Sequence, residues 1–151
     1  MTSVSVERLR PGHRDRVGES PLWDAAQRAL WWVDIEACAI RRLRLGDEPL
    51  QSWTLPERVA CVALHADGGL VAALETRIVH AALGTDGTST LATLALARHE
   101  RADMRFNDGR CDRAGRFWVG SMVRDMGANA PAGRIVRLDT HGVSESGLAG
   151  L

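Results

Sequence analysis

Short apolar segments recur along the chain at intervals of roughly 40 to 47 residues. Each follows a turn rich in Asp, Gly or Ala, and a second apolar segment precedes that turn. Two strands joined by such a turn form a hairpin, so the pattern predicts three hairpins. Their first strands are Pro21–Trp23, Val59–Leu64 and Gly109–Cys111, and their second strands are Leu30–Asp34, Leu70–Leu74 and Phe117–Ser121.

After each hairpin comes a segment in which apolar and polar residues alternate: Ala39–Leu45, Ile78–Leu83 and Gly133–Asp139. An alternation of period two is typical of a half-buried antiparallel strand. The repeating unit is therefore a meander of three or four strands. A meander of this length predicts an all-β fold built from β-propeller blades, and it fits a sandwich or a doubly wound sheet less well.

One segment, Thr90–His99, also has a helical interpretation. Its Ala and Leu residues favour a helix, but the apolar side chains of Leu91, Leu94 and Leu96 also suit an outer strand. We predict a strand.

Three such units do not close a propeller, because a blade cannot cover its own faces and known rings have at least four blades. The last residues, 143–151, show no strong strand pattern where the next blade should begin. We expect residues 1–151 to form a single partial propeller domain of roughly three blades. Truncation or a frameshift is the first explanation, and self-association of two half-rings is the second.

Composition and charge exclude several kinds of partner. The chain has 19 Lys and Arg against 19 Asp and Glu, so no net field attracts nucleic acid or an anionic membrane. The N-terminus lacks the apolar stretch of a signal peptide, and no apolar run approaches the ~18 residues of a membrane span. We expect a soluble cytoplasmic protein. The tryptophans fall mostly within strand segments and are interpreted as core residues.

The first candidate for chemistry is Glu19, which lies between a glycine and the apolar pair Leu22 and Trp23. A carboxylate at the inner end of a blade's first strand is suited to binding a hard cation near the propeller axis. The alternative is a solvated glutamate in a turn.

The second candidate is the stretch Met104–Asp112. Arg105 and Asn107 combine a forked cation with an amide that donates and accepts hydrogen bonds, a set suited to polyhydroxylated ligands. In an extended segment both side chains point to the same side, where they face one ligand together. The alternative is an Asn-Asp-Gly turn with an exposed arginine.

These stretches resemble the senescence-marker-protein/gluconolactonase/luciferin-regenerating-enzyme family, and the resemblance runs from Val17 to Leu138. Its motifs are Gly18–Trp23, Trp32–Ile35, Arg105–Gly109 with Asp112, Gly115–Arg116 and Gly120–Met122. The resemblance implies a six-bladed propeller with one divalent cation, Ca²⁺, Zn²⁺, Mg²⁺ or Mn²⁺, held by a Glu, an Asn and an Asp.

Position by position, the resemblance makes Glu19 the metal-binding glutamate. Arg105 and Asn107 match contacts to the sugar lactone, and Asp125 is a looser match to an acidic substrate contact. The family's metal-binding Asn, and the Asp that is also its proposed general base, fall beyond Leu151.

The implied activity is metal-dependent hydrolysis of a sugar lactone to the aldonic acid. With one matched metal ligand, we expect the 151-residue chain to bind metal weakly and to lack normal lactonase activity unless another chain supplies the missing blades. The alternatives are a non-catalytic calcium-binding or metal-binding regulatory protein of the regucalcin type and a scaffold that binds a protein partner. Turnover with added metal separates the enzyme from the regulatory protein.

Overall fold

A computed structural model describes residues 4–10, 12–46, 49–125, 127 and 131–150. These residues form three four-stranded antiparallel sheets and no α-helix, and therefore no helix that would cross a membrane. Within each sheet the strands follow chain order. Sheet 1 contains β1 (Gly18–Asp24), β2 (Ala29–Asp34), β3 (Ala39–Arg44) and β4 (Gln51–Thr54); sheet 2 contains β5 (Val59–Leu64), β6 (Leu70–Leu74), β7 (Arg77–Leu83) and β8 (Ser89–Leu96); sheet 3 contains β9 (Met104–Cys111), β10 (Phe117–Val123), β11 (Arg134–Asp139) and β12 (Gly142–Ala149).

The first hairpin turn of each sheet is closed by the same kind of contact. The side chains of Asp24, His65 and Asp112 each accept a hydrogen bond from a backbone amide two or three residues later, at 3.0, 3.1 and 2.9 Å. Such bonds fix a tight reversal without help from the rest of the fold. The turn chemistry thus confirms the three repeats predicted from the sequence.

Sheet 2 lies between the other two sheets and packs against both. One apolar cluster joins sheet 1 to sheet 2, and a second joins sheet 2 to sheet 3. The innermost strands are neighbours in sequence order, with β5 in contact with both β1 and β9. This is the arrangement of consecutive propeller blades, as predicted.

The contact between sheets 1 and 2 is centred on two tryptophans. The rings of Trp31 and Trp53 stack with centroids 5.7 Å apart, and the guanidinium of Arg42 lies over both rings at 5.0 and 5.4 Å. The Trp53 indole donates a 2.7 Å hydrogen bond to the Gly84 carbonyl of sheet 2. The indole bond therefore fixes one sheet to the next in addition to apolar burial.

Two predictions about outer strands had different outcomes. The segment 90–99 does form a strand, β8, rather than a helix. The expectation that residues 143–151 lack a strand is wrong, because residues 142–149 form β12 and pair with β11. An outermost strand needs only backbone hydrogen bonds from one neighbour, so its formation does not require an alternating apolar pattern.

The interpretation of the tryptophans as core residues is only partly right. Trp31 and Trp53 are buried, whereas Trp23 is 47% exposed. Trp23 pairs across the hairpin with Leu30, on the face of sheet 1 that points away from sheet 2. No sheet packs against that face among the described residues, although Asp15 accepts a 2.7 Å hydrogen bond from the Trp32 indole there, so Trp23 remains accessible.

At Gly109, sheets 2 and 3 approach each other so closely that no space remains for a side chain. A Cβ at Gly109 would lie 2.5 Å from the Trp118 carbonyl oxygen and 2.9 Å from the Cys61 Sγ of sheet 2. We expect Gly109→Ala to lower the free energy of unfolding by about 1–3 kcal/mol, since backbone must move. Chemical denaturation measures the change. Gly120→Ala is the matched control, because the nearest atom to its Cβ lies 3.9 Å away, and equal effects of the two substitutions would contradict the close contact.

Candidate functional site

The candidate residues lie at the rim where the innermost strands begin, hereafter the strand-start rim. The first residues of these strands pair with the last residues of the second strands, as in Gly18 with Asp34 and Met104 with Val123. The loops that follow β2, β6 and β10 therefore return to this rim, and the hairpin turns lie at the opposite one. Side chains from all three sheets meet at the strand-start rim.

Glu19 occupies the second position of β1, opposite Val33, and is exposed. The ladder is irregular directly after Glu19, and the next residue, Ser20, has a positive φ of 53°. This bulge directs the buried Ser20 hydroxyl to the Val62 amide of sheet 2, from which it accepts a 3.2 Å hydrogen bond. The bulge therefore fixes β1 against β5 directly beside Glu19.

Asp34 holds the chain segment that leads into Glu19. Its buried carboxylate accepts hydrogen bonds of 3.1 Å from the amides of Arg16 and Val17, one of 3.3 Å from Ala37 and one of 3.2 Å from Arg41. Burial alone would raise the pKa of Asp34, but these hydrogen bonds outweigh it and hold the pKa below its ordinary value of 3.8. The ionised carboxylate is therefore a structural anchor for the start of β1.

Arg105 and Asn107 lie on one side of β9, as the period-two pattern predicted. The Arg105 Nη1 donates to the Asn107 Oδ1 at 3.2 Å and to the Phe106 carbonyl at 2.8 Å. Arg105 is half-buried and Asn107 is exposed. The arginine is thereby held in place by its own strand, while the asparagine amide nitrogen points its donors away from that contact.

A chain of ion pairs surrounds Arg105, and sequence analysis did not predict it. Arg58 binds Glu36 at 3.1 Å and lies 3.7 Å from Glu75, whose other oxygen lies 2.7 Å from Arg124. Burial lowers the pKa of Arg105, and the charges of these four residues act on it in opposing directions. The sequence did contain a signal for these ion pairs, because a charged residue lies within two positions of the end of the second strand of each sheet.

Asp125 is not joined to the other predicted contacts by any hydrogen bond or ion pair in the described part of the chain. It lies two residues beyond β10, is exposed, and accepts a 2.9 Å hydrogen bond from the Gly127 amide. Its role as an acidic substrate contact stays a prediction.

The described residues do not by themselves form a complete metal site. No group of three or more His, Cys, Asp or Glu side chains among them is arranged to hold an ion. At the strand-start rim, Glu36 and Glu75 form ion pairs with Arg58 and Arg124, so of Glu19, Glu36 and Glu75, Glu19 is the one without an ion pair among the described residues. One carboxylate falls short of the six to eight oxygens of calcium and of the four ligands of a structural zinc site.

Sheet 3 adjoins a small hollow of about 320 Å³ beside Arg124 and two larger concave surfaces. A shallow depression of about 630 Å³ runs along its face from Asn107 to Trp118 and Ile135. A cleft of about 580 Å³ between sheets 2 and 3 is lined by His99, Phe106 and other residues, but by none of the predicted site residues. Of these three surfaces, the depression is the one that a predicted site residue, Asn107, lines.

Comparison with known proteins identifies the relatives of this chain. Residues 17–148 match the model of the SMP-30/Gluconolactonase/LRE-like region. The chain is 35% identical to the 6-deoxy-6-sulfogluconolactonase of Pseudomonas putida over 82% of its own length and 40% of the relative. It is 37% identical to the L-arabinolactonase of Azospirillum brasilense over 78% of its own length and 38% of the relative.

A solved structure has the same fold. The crystal structure of a calcium-binding protein, regucalcin, from Agrobacterium tumefaciens superposes with a TM-score of 0.78 at 26% identity. The match covers 91% of this chain and 44% of that protein. The chain thus spans less than half the length of each of these three proteins.

Asp34→Asn is expected to destabilise the fold by about 2–4 kcal/mol at neutral pH, because an amide cannot accept all the hydrogen bonds of the buried carboxylate. The folded-state pKa of Asp34 is depressed, so its contribution is present above pH 3.8 and is lost as the pH falls through the folded-state value. Urea unfolding at several pH values measures this difference.

The exposed turn residue Asp67 provides the control as Asp67→Asn. This variant should unfold like the unmodified chain throughout the pH range. If the difference between Asp34→Asn and the unmodified chain stayed constant from neutral pH into the acid range, ionised Asp34 would not be the anchor.

Proposed function

Because the chain belongs to the SMP-30/gluconolactonase/LRE-like family, we propose that it supplies the first part of a site that hydrolyses a sugar lactone to the aldonic acid. The observation that carries this proposal is the hydrogen-bonded pair of Arg105 and Asn107 on one side of β9. Relatives named as lactonases support the reaction class. These relatives are more than twice as long as this chain, and a shared fold alone does not show that the chain has their activity.

Arg105 and Asn107 are assigned the task of orienting the lactone. The guanidinium has five N–H donors, and its Nη1 is engaged by Phe106 and Asn107. Its other nitrogens, together with the Asn107 amide group, present donors in a fixed arrangement to the hydroxyl and carbonyl oxygens of a sugar lactone. Preformed donors of this kind reduce the cost of ordering the substrate and exclude ligands without matching oxygens.

Glu19 is proposed to contribute one oxygen ligand to a divalent cation. Lactone hydrolysis adds water to the carbonyl carbon and breaks the bond to the ring oxygen, and a carboxylate is suited to hold a cation or accept a proton there. The described residues do not complete such a metal site. The further ligands and the general-base Asp are proposed to lie outside residues 1–151.

A second function, calcium binding without turnover, is favoured by one specific observation. The superposed structure from Agrobacterium tumefaciens is described as a calcium-binding protein. Both functions use Glu19 as a ligand, so metal binding does not distinguish them. Hydrolysis of gluconolactone with added metal does, because only the enzyme turns over.

We expect Mn²⁺ to bind the 151-residue chain weakly, with a dissociation constant on the order of 1 mM or higher, since one carboxylate is a poor site. Paramagnetic broadening of NMR signals should centre on Glu19 and disappear in Glu19→Gln. The control Asp67→Asn removes a carboxylate from the opposite rim and should leave the broadening unchanged. Tight binding, or gluconolactone hydrolysis at a rate dependent on Glu19, would show that the ligand set is already complete.

The role of Arg105 is tested with D-gluconate, the stable product of gluconolactone hydrolysis. Titration should shift the side-chain NMR signals of Arg105 and Asn107, and Arg105→Lys should weaken the shift because lysine lacks the planar fork. Arg113→Lys, in the exposed hairpin turn after β9 at the opposite rim, is the control and should behave like the unmodified chain. Shifts confined to the cleft around His99 would place the ligand elsewhere and contradict the proposed site.

A further inference from the structure

The segment that joins sheets 2 and 3, residues 97–103, crosses the strand-start rim from β8 to β9. Its first amide donates a 2.8 Å hydrogen bond to the Thr76 carbonyl, and its last carbonyl accepts a 2.9 Å hydrogen bond from the Arg124 amide. The two ends of the segment are therefore tied to the loops that follow β6 and β10. His99 lies near the middle of the segment, between these two loops.

His99 is bound to sheet 2 through one ring nitrogen. Its Nε2 donates a 3.0 Å hydrogen bond to the backbone carbonyl of Glu75, the residue that directly follows β6. The Glu75 carboxylate lies 2.7 Å from Arg124 and 3.7 Å from Arg58. Burial lowers the pKa of Arg105, and the negative charge of Glu75 opposes that effect. His99 thus holds the backbone of an acidic residue whose charge acts on Arg105.

The same imidazole also supports β9. Its ring meets the Phe106 ring edge-on, with centroids 5.0 Å apart and planes at 67°. Phe106 is buried, and its backbone carbonyl accepts the 2.8 Å hydrogen bond from the Arg105 Nη1. The ladder between β9 and β10 is irregular directly after Phe106, where two residues of β9 oppose one of β10. Because regular pairing is interrupted there, packing of the Phe106 ring helps to fix the direction of its carbonyl.

We propose that His99 is a positioning residue for Arg105, a role that rests on the proposed function of Arg105 as a lactone contact. Two separate contacts lead from the imidazole towards the guanidinium, one through the Phe106 ring and one through the Glu75 backbone. His99 lines the cleft between sheets 2 and 3 and not the depression that Asn107 lines. It therefore acts from behind the site, where it limits the directions that the guanidinium can take before a ligand binds.

The ligand-free chain tests this role without any hydrolysis. Nitrogen-15 relaxation of the Arg105 Nε–H group reports how rigidly the guanidinium is held. Its order parameter should fall from about 0.85 to below about 0.6 in His99→Ala, because both contacts are lost. His99→Gln keeps an N–H donor for the Glu75 carbonyl and should restore part of the order. His141→Ala, in the exposed turn between β11 and β12, is the matched control and should leave the order unchanged.

D-gluconate then tests the effect on the site. His99→Ala should raise the dissociation constant of D-gluconate about fivefold, which corresponds to the loss of one ordinary hydrogen bond. In the Arg105→Lys background the same substitution should change this constant less than about twofold, because lysine has no planar fork to be held. A purely structural role of His99 would instead weaken binding equally in both backgrounds.

These measurements separate the role of His99 from the proposed function. An Arg105 order parameter that is unchanged in His99→Ala, or equal losses of D-gluconate affinity in the two backgrounds, would overturn the role of His99. Failure of D-gluconate to bind the unmodified chain would count against the proposed function of Arg105, and the ligand-free relaxation would still decide whether His99 holds the guanidinium. Amide signals of sheet 1, remote from the cleft, report whether each variant is folded.

Discussion

The packing of sheet 2 between two neighbours is the contact on which the rest of the structure depends. Its two inner strands are apolar on both faces, and all five residues of Leu70–Leu74 are buried. Antiparallel strands normally face water on one side, so a strand without polar alternation requires a second sheet. Sheet 2 cannot be stable alone, and burying its two faces sets the positions of β1 and β9.

Those two strands carry the candidate chemistry, and sheet 2 contributes none of it directly. Glu19 is positioned because the Ser20 hydroxyl binds the Val62 amide, and Arg105 is positioned because Gly109 of the same strand lies against Cys61. Sheet 2 is therefore the spacer between the proposed metal ligand and the proposed lactone contact. A closely packed interior transmits a change in the apolar contact between the sheets to the residues on either side of it.

The ion pairs at the strand-start rim have a different role from this apolar packing. The side chains of Glu36 and Arg124 are more than 40% exposed, and pairs of this kind contribute little to stability. They do neutralise Glu75 and keep the charge near Arg105 balanced. Among the described residues no carboxylate forms an ion pair with the Arg105 guanidinium, which is compatible with its proposed contact to an oxygen of a ligand.

The sequence predicted whatever depended on local patterns and missed whatever depended on contacts between sheets. The apolar run Val59–Leu64 and the shared side of Arg105 and Asn107 follow from strand periodicity, and both agree with the structure. The bulge at Ser20 was not predictable, because its positive φ is stabilised by an amide 42 residues away. The exposure of Trp23 was missed for the same reason, since an aromatic strand residue looks identical whether or not a sheet covers it.

The first strand of each sheet has the same place in the repeat but not the same kinds of residues. The first strand of a sheet is apolar throughout in β5, where both faces are covered, but it carries Glu19 in β1 and Arg105 in β9. Charged residues therefore occur in the first strands of the two outer sheets of the described chain. In β9, strand periodicity places Arg105 on the side opposite Phe106, which packs on sheet 2, whereas Glu19 pairs with the buried Val33 at the point where the ladder of β1 becomes irregular.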